Sequence, residues 1–86
     1  MEFEYNAHKS DSNKRKQGID FIEAQALWKD PDRIEIPART ADEPRYLLIG
    51  KIGDDHWSAI TTYRDEKIRI ISVRRSRREE IEIYEG

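Results

Sequence analysis

Five arginines, Arg45, Arg64, Arg69, Arg74 and Arg75, fall in or at the ends of three consecutive stretches that alternate apolar and polar residues. Residues 67–75 read Lys-Ile-Arg-Ile-Ile-Ser-Val-Arg-Arg. From Lys67 to Arg78 there are six cations (Lys67, Arg69, Arg74, Arg75, Arg77, Arg78) and no acid, yet the chain as a whole has a formal net charge of −2. A basic block inside an acidic protein reads as a placed site. Phosphate is the ligand such a block fits, because guanidinium forks match its oxygens two at a time. RNA adds a reaction that needs no metal. Its own 2′-hydroxyl attacks the adjacent phosphorus, and fixed cations stabilise the charge that develops. Tyr46, Tyr63, Tyr84 and Trp57 can stack on unpaired bases, although Trp57 reads first as a core plug.

Other chemistries are poorly supplied. The chain has no cysteine and two histidines, His8 and His56. Disulfides and thiolate metal sites are therefore out of reach, and no two-histidine metal spacing occurs. Both histidines read as solvated surface residues. No glycine-rich phosphate loop exists among the four glycines, so a P-loop is excluded. No cofactor or metal is expected. No apolar run approaches membrane-spanning length and there is no signal-peptide core, so no membrane is expected and the simplest address is the cytoplasm. With 86 residues, 36% hydrophobic and 40% charged, residues 1–86 read as a single domain with a thin core that a partner chain would help to bury.

The elements that must position the arginines can be placed. Met1 to Tyr5 alternates and suits a short edge strand. Asn6 offers an N-cap for a helix over 7–17 that Gly18 closes. This helix carries Lys9, Lys14 and Lys16 and is polar all round, so its lysines face either solvent or a ligand. A second helix is expected after Asp20, which with Glu23 forms a capping box, and Ile19 with Ala24 suits a hydrophobic staple. Phe21, Ala24 and Trp28 give it a core stripe. Arg33 to Pro37 is extended, and a polar loop runs from Ala38 to Pro44. Strands follow at 45–52, 56–64 and 67–75, linked closely enough for hairpins. A last helix is expected from a Ser76 cap with Glu79 at its third position. This is an α+β fold: a small antiparallel sheet, a three-stranded meander with further short strands, carrying two N-terminal helices and one C-terminal helix.

Two-residue loops at Asp54-Asp55 and Asp65-Glu66 would set the register. Arg45 then faces Arg64, Leu47 faces Thr62, and Thr62 faces Arg69. Ile49, Ile60 and Ile71 form one row, and Arg45, Arg64 and Arg69 gather on one face where no acid in the strands offsets them. The other face takes Tyr46, Tyr63, Leu48, Ile70, Trp57 and Arg74. Arg74 joins the other arginines only if the strand bulges or the site lies at the sheet edge.

Several segments together resemble the BrnT-type toxins of type II toxin–antitoxin systems. They are Phe3-Glu4-Tyr5, Lys9, Asn13, Lys16 to Phe21 with Glu23-Ala24, Pro44 to Gly50, Thr62-Tyr63-Arg64, Ile68 to Ser76, and Glu79 with Tyr84. The resemblance runs in order over nearly the whole chain, and Ile-Arg-Ile-Ile-Ser is its most specific part. It implies a RelE-like fold and a ribonuclease that blocks translation by cutting RNA, free or on the ribosome. It implies a BrnA-like antitoxin that neutralises the toxin by direct binding and carries operator DNA binding. Carried over by position, it makes Arg64, Arg69 and Arg74 the catalytic residues, acting on the scissile phosphate, with Lys16 nearby. Lys16, Arg45, Arg75 and Lys9 complete the expected RNA-binding set.

One position departs from that pattern. Family members typically have His where this chain has Gln17, between Lys16 and Gly18. An amide does not titrate near neutrality. If the histidine carries a proton, activity here is reduced or lost; if it only hydrogen-bonds, Gln17 serves. The competing reading is a catalytically silent module whose basic face only docks an acidic protein partner.

Overall fold

The computed structural model describes residues 1–39 and 42–86. Positions 40 and 41, within the loop expected from Ala38 to Pro44, lie outside the described residues. The elements are β1 (Phe3–Glu4), α1 (Ala7–Gln17), a 3₁₀ helix (Glu23–Lys29), β2 (Ile34–Ala38), β3 (Arg45–Ile52), β4 (Asp55–Arg64), β5 (Lys67–Arg75) and α2 (Arg78–Glu85). The strands form one five-stranded sheet in the order β1-β5-β4-β3-β2. Strands β2 to β5 pair antiparallel, whereas β1 runs parallel to β5. The architecture is α+β as expected, with the central meander in place. The sheet is mixed rather than antiparallel, because the chain crosses from β1 through the helical layer before it returns.

Hairpin geometry decides which side chains share a face. The β3–β4 loop is Gly53-Asp54, not Asp54-Asp55, and Ile52 pairs with Asp55. Gly53 sits at φ +64, a conformation that glycine adopts without steric cost and that a tight hairpin needs at its first central position. Moving the turn back by one residue shifts the register by two. Leu47 therefore pairs with Ile60 and Ile49 with Ser58. Arg45 does not face Arg64, and the isoleucine row does not form. The faces survive, because the shift is even.

The β4–β5 pairing begins as expected, with Arg64 opposite Lys67 and Thr62 opposite Arg69. Between Ile60 and Thr61 the register then slips. Thr61 pairs with Ile70 and Ile60 with Ser72, which leaves Ile71 without a partner on β4. This β-bulge turns every later residue of β5 over. Arg74, paired with Ser58, thereby joins Arg69 and Arg64 on one face.

The opposite face carries the core. Ile19, Phe21, Ala24, Leu27 and Trp28 pack on Leu48, Trp57, Ala59, Ile68, Ile70 and Val73. Asp20 and Glu23 form the expected capping box: Asp20 Oδ1 accepts from the Glu23 N–H, and Glu23 Oε1 accepts from the Asp20 N–H. The segment it opens is a 3₁₀ helix rather than an α-helix. Leu27 lies so close to Gly50 that a β-carbon there would stand 3.2 Å from Leu27 Cδ2. The tighter helix lies against the sheet where glycine leaves room.

The polar helix α1 is held by polar contacts instead of an apolar stripe. Buried Ser10 accepts from the Phe21 N–H at 2.9 Å, and buried Asn13 bridges two backbones. Its Nδ2 donates to Ile19 O at 2.8 Å and its Oδ1 accepts from the Val73 N–H at 3.2 Å. Asn13 thus occupies the outer edge of β5 past the end of β1. Helix α2 covers part of the other face, where Ile49 and Ser58 are fully buried. Its cap is Arg77, and Glu80, not Glu79, accepts from the Arg77 N–H. Ser76 is engaged elsewhere, with its hydroxyl 2.8 Å from Ser58 Oγ.

Candidate nucleic-acid interface

Arg45, Arg64, Arg69 and Arg74 all stand on the α2 side of the sheet, by strand parity in β3 and β4 and by the bulge in β5. They are not equally close. Arg69 pairs with Thr62 and Arg74 with Ser58. At about 3.3 Å per residue, these stations are about 13 Å apart along β4, and Arg64 stands about 20 Å from the Ser58 station. The three expected catalytic arginines are therefore spread along the face rather than gathered at one point.

Each arginine already has a carboxylate partner, supplied for Arg45, Arg64, Arg69 and Arg74 from outside the three meander strands. Arg69 donates to Glu4 Oε2 at 2.7 Å, a pair made by the direct β1–β5 register. Arg64 and Arg45 share Glu43, at 3.5 and 3.9 Å respectively. These are loose contacts of half-exposed groups, and pairs of that kind contribute little. Arg75 points to the core side, stacks 4.8 Å over Trp57 and reaches Asp55 at 3.1 Å. It stands apart from the other arginines. Trp57 is 7% exposed and serves as a core residue.

Arg74 is held differently. Its two terminal nitrogens donate to Glu80 Oε1 and Oε2, each at 2.8 Å. Glu80 also accepts from Ser58 Oγ and from the Arg77 N–H, both at 2.8 Å. Four donors on a carboxylate that is 8% exposed form a closed hub. The Arg74 fork first, and the Arg77 and Ser58 donors after it, hold the Glu80 carboxyl down to about 2 against the opposing effect of burial. Arg74 is pushed up in turn. The hub fixes the guanidinium at the bulge.

Arg74 also lines a pocket of about 300 Å³ between α1 and the bulge of β5. Lys9, Ser12, Lys16 and Gln17 come to it from α1, and Ile71 and Ser72 from the bulge. Lys9, Ser12 and Lys16 lie at helical spacing on one side of α1, so a single helix face presents both lysines. Lys14 is turned away, bonded to Glu23 at 2.8 Å. The expected residues thus divide into three groups. Lys9, Lys16 and Arg74 share a pocket; Arg45, Arg64 and Arg69 stand along the same sheet face; Arg75 is on the other.

Three larger hollows, of about 560, 580 and 470 Å³, contain none of the expected site residues. The first is bordered by Tyr63, whose hydroxyl donates to Glu35 at 2.6 Å. Burial, then that bond, pushes the Tyr63 phenol up to about 12. Tyr46 packs edge-on against Tyr63 with ring centroids 5.3 Å apart, as the face assignment required. Both rings lie on the sheet face opposite the arginines. His56 is not a solvated tip residue: its Nε2 lies 2.7 Å from Glu85 Oε2 and its ring packs on Tyr84. Among the described residues no three His, Cys, Asp or Glu side chains are grouped to hold a metal ion. Among them, too, no helix is long and apolar enough to cross a membrane.

Sequence reasoning missed the carboxylates. Glu4 was legible in principle, because a strand at Met1 to Tyr5 must pair with some edge. Glu80 was masked by Glu79, one residue earlier and equally placed to cap a helix from Ser76. Gln17, a departure from the family pattern, ends α1 beside Lys16 and lines the pocket.

The family model described as ribonuclease toxin, BrnT, of type II toxin–antitoxin system matches residues 5–80. That span runs from the residue after β1 into the first turn of α2 and takes in the pocket, the bulge and Glu80. The chain belongs to the BrnT family of ribonuclease toxins. A toxin of this type implies an antitoxin partner. No curated protein matches the chain.

Proposed function

We propose that this protein cuts RNA without a metal ion and thereby inhibits translation, with the pocket between α1 and β5 as its reaction centre. The observation that carries this reading is the convergence of Lys9, Lys16 and Arg74 on one hollow beside the β5 bulge. In the reaction the RNA 2′-oxygen bonds to phosphorus as the bond from phosphorus to the 5′-oxygen breaks, leaving a cyclic phosphate and a 5′-hydroxyl. The 2′-proton departs and the 5′-oxygen gains one. Negative charge builds on the non-bridging oxygens, where Arg74, held at the bulge, and the exposed cations Lys9 and Lys16 favour the transition state over the ground state. Gln17 cannot carry either proton, so the rate rests on charge stabilisation. Arg64 and Arg45 hold the flanking strand, exchanging the loosely held Glu43 for phosphate, with Arg69, bonded to Glu4, beside them.

The fold is proposed to be RelE-like and residues 1–86 to act as a single toxin domain. A BrnA-like antitoxin would neutralise the toxin by direct binding and bring operator DNA binding to the complex. The reaction would take place in the cytoplasm, on free or ribosome-bound RNA. A second reading is favoured by the Arg74–Glu80 pair, in which the guanidinium fork is already filled. There the basic face docks a protein and cuts nothing. Induced expression separates the two. Growth arrest with fragmented RNA, relieved by co-expressing the neighbouring antitoxin gene, supports the toxin. Unimpaired growth with intact RNA supports the silent module.

A further inference from the structure

The pocket beside the bulge has the size and lining of a site for one nucleotide. Its volume of about 300 Å³ lies at the low end of ordinary ligand pockets. Its floor is apolar: Phe21 and Val73 are each 1% exposed, and Ile71 is the residue the bulge leaves unpaired. Its rim carries the cations Lys9, Lys16 and Arg74. A phosphate suits the rim and a flat base suits the apolar floor. Two side chains there, Asn13 and Gln17, set an amide donor and acceptor side by side with no charge. Gln17 ends α1 and is exposed. Asn13, the other amide in the pocket wall, spends both its oxygen and its nitrogen on Ile19 and Val73 backbone groups. Gln17 makes no hydrogen bond through its side chain among the described residues, so its amide remains available to a ligand.

An amide of this kind matches adenine, accepting from the exocyclic amine and donating to the neighbouring ring nitrogen. Single-stranded RNA presents such edges, because its bases are splayed out rather than paired. We infer that the pocket holds one unpaired adenine nucleotide of the RNA, its phosphate on Lys9, Lys16 and Arg74 and its base edge on Gln17. This rests on the ribonuclease reading and adds to it a substrate preference set by one neutral residue.

The test uses the full chain and short single-stranded RNAs, a uridine tract carrying one central A, G, C or U. They are made with 2′-O-methyl sugars for binding and with ordinary sugars for cleavage. The parent protein is expected to bind the adenine probe about 10-fold more tightly than each of the other three. Gln17→Ala should bring the four probes within about 2-fold of one another by weakening the adenine probe. Arg15→Ala, which removes a cation from the same turn of α1 but outside the pocket, should leave the adenine ratio as it is. A parent that cuts RNA with no base preference, or a preference unchanged in Gln17→Ala, overturns the subsite and leaves the ribonuclease reading standing. A parent that neither binds nor cuts any of the four overturns both.

Discussion

Arg74 and Glu80 meet through two parallel hydrogen bonds of 2.8 Å, and they join the bulge of β5 to the first turn of α2. The pair sets both a stability and a pH dependence. The Glu80 carboxyl sits near 2 instead of 4.5 because the Arg74 fork, the Arg77 N–H and the Ser58 hydroxyl favour its charged form. Its contribution is complete above pH 4.5 and is lost as the pH falls from 4.5 toward 2. At 1.4 kcal/mol per unit this amounts to about 3 kcal/mol. The Asp30 carboxyl, also held low, acts in the same direction. Urea midpoints at pH 7 and pH 3 should show the loss. Glu80→Gln should be about 2 to 3 kcal/mol less stable at pH 7 and should lose much of the difference between the two pH values.

Asn13 is the clip that keeps α1 on β5. Removing its side chain in Asn13→Ala leaves the Val73 N–H and the Ile19 carbonyl buried without partners. The expected destabilisation is about 2 to 3 kcal/mol, read by denaturant melting. Asn13→Asp, which keeps the acceptor for Val73 and loses the donor to Ile19, should fall between the two.

The β4–β5 turn carries avoidable strain. Asp65 and Glu66 sit at φ +52 and +65, the left-handed conformation that costs an ordinary residue about 1 kcal/mol or more. Replacing the two with Asn-Gly, the pair such hairpins favour, should stabilise the protein by about 0.5 to 1 kcal/mol in the same melts. Unchanged or lowered stability would contradict the turn geometry.

These positions show what could be read from the chain alone. Helix α1, the meander and the Phe21-Ala24-Trp28 stripe follow from caps and periodicity, which are local. The faces of β3 and β4 were legible too, since a two-residue slip does not change parity. The position of Arg74 was not. The bulge's one local mark is Ile70-Ile71, where the apolar phase passes from Ile68 and Ile70 to Val73, whereas its support, Asn13 on the neighbouring edge, is 60 residues away in sequence. The Glu4 carboxylate was hidden for the same reason: it meets Arg69 across 65 residues. Gathering like charges on a face was inferred correctly, whereas their neutralisation depended on which edges meet.

The two lysines of the pocket are exposed and should act chiefly through charge. Lys9→Ala and Lys16→Ala should each lower the salt dependence of RNA binding, reducing the slope of log affinity against log salt by about 0.7. Lys14→Ala, bonded to Glu23 on the other side of the helix, should leave the slope unchanged. Binding isotherms from low to moderate salt on one single-stranded RNA measure all three.

The central claim is that RNA is cut at the bulge pocket by cations alone. Single-turnover cleavage with saturating enzyme and excess chelator tests it most directly. Arg74→Lys is the informative variant, because it keeps a cation on Glu80 and removes the fork. The account predicts that the parent cuts under chelation and that Arg74→Lys is slower by about 10² to 10³. Arg64→Ala, about 20 Å away along β4, should chiefly weaken binding. Loss of all parent cleavage on chelation, or parent rates in both Arg74→Lys and Lys16→Ala, would contradict it.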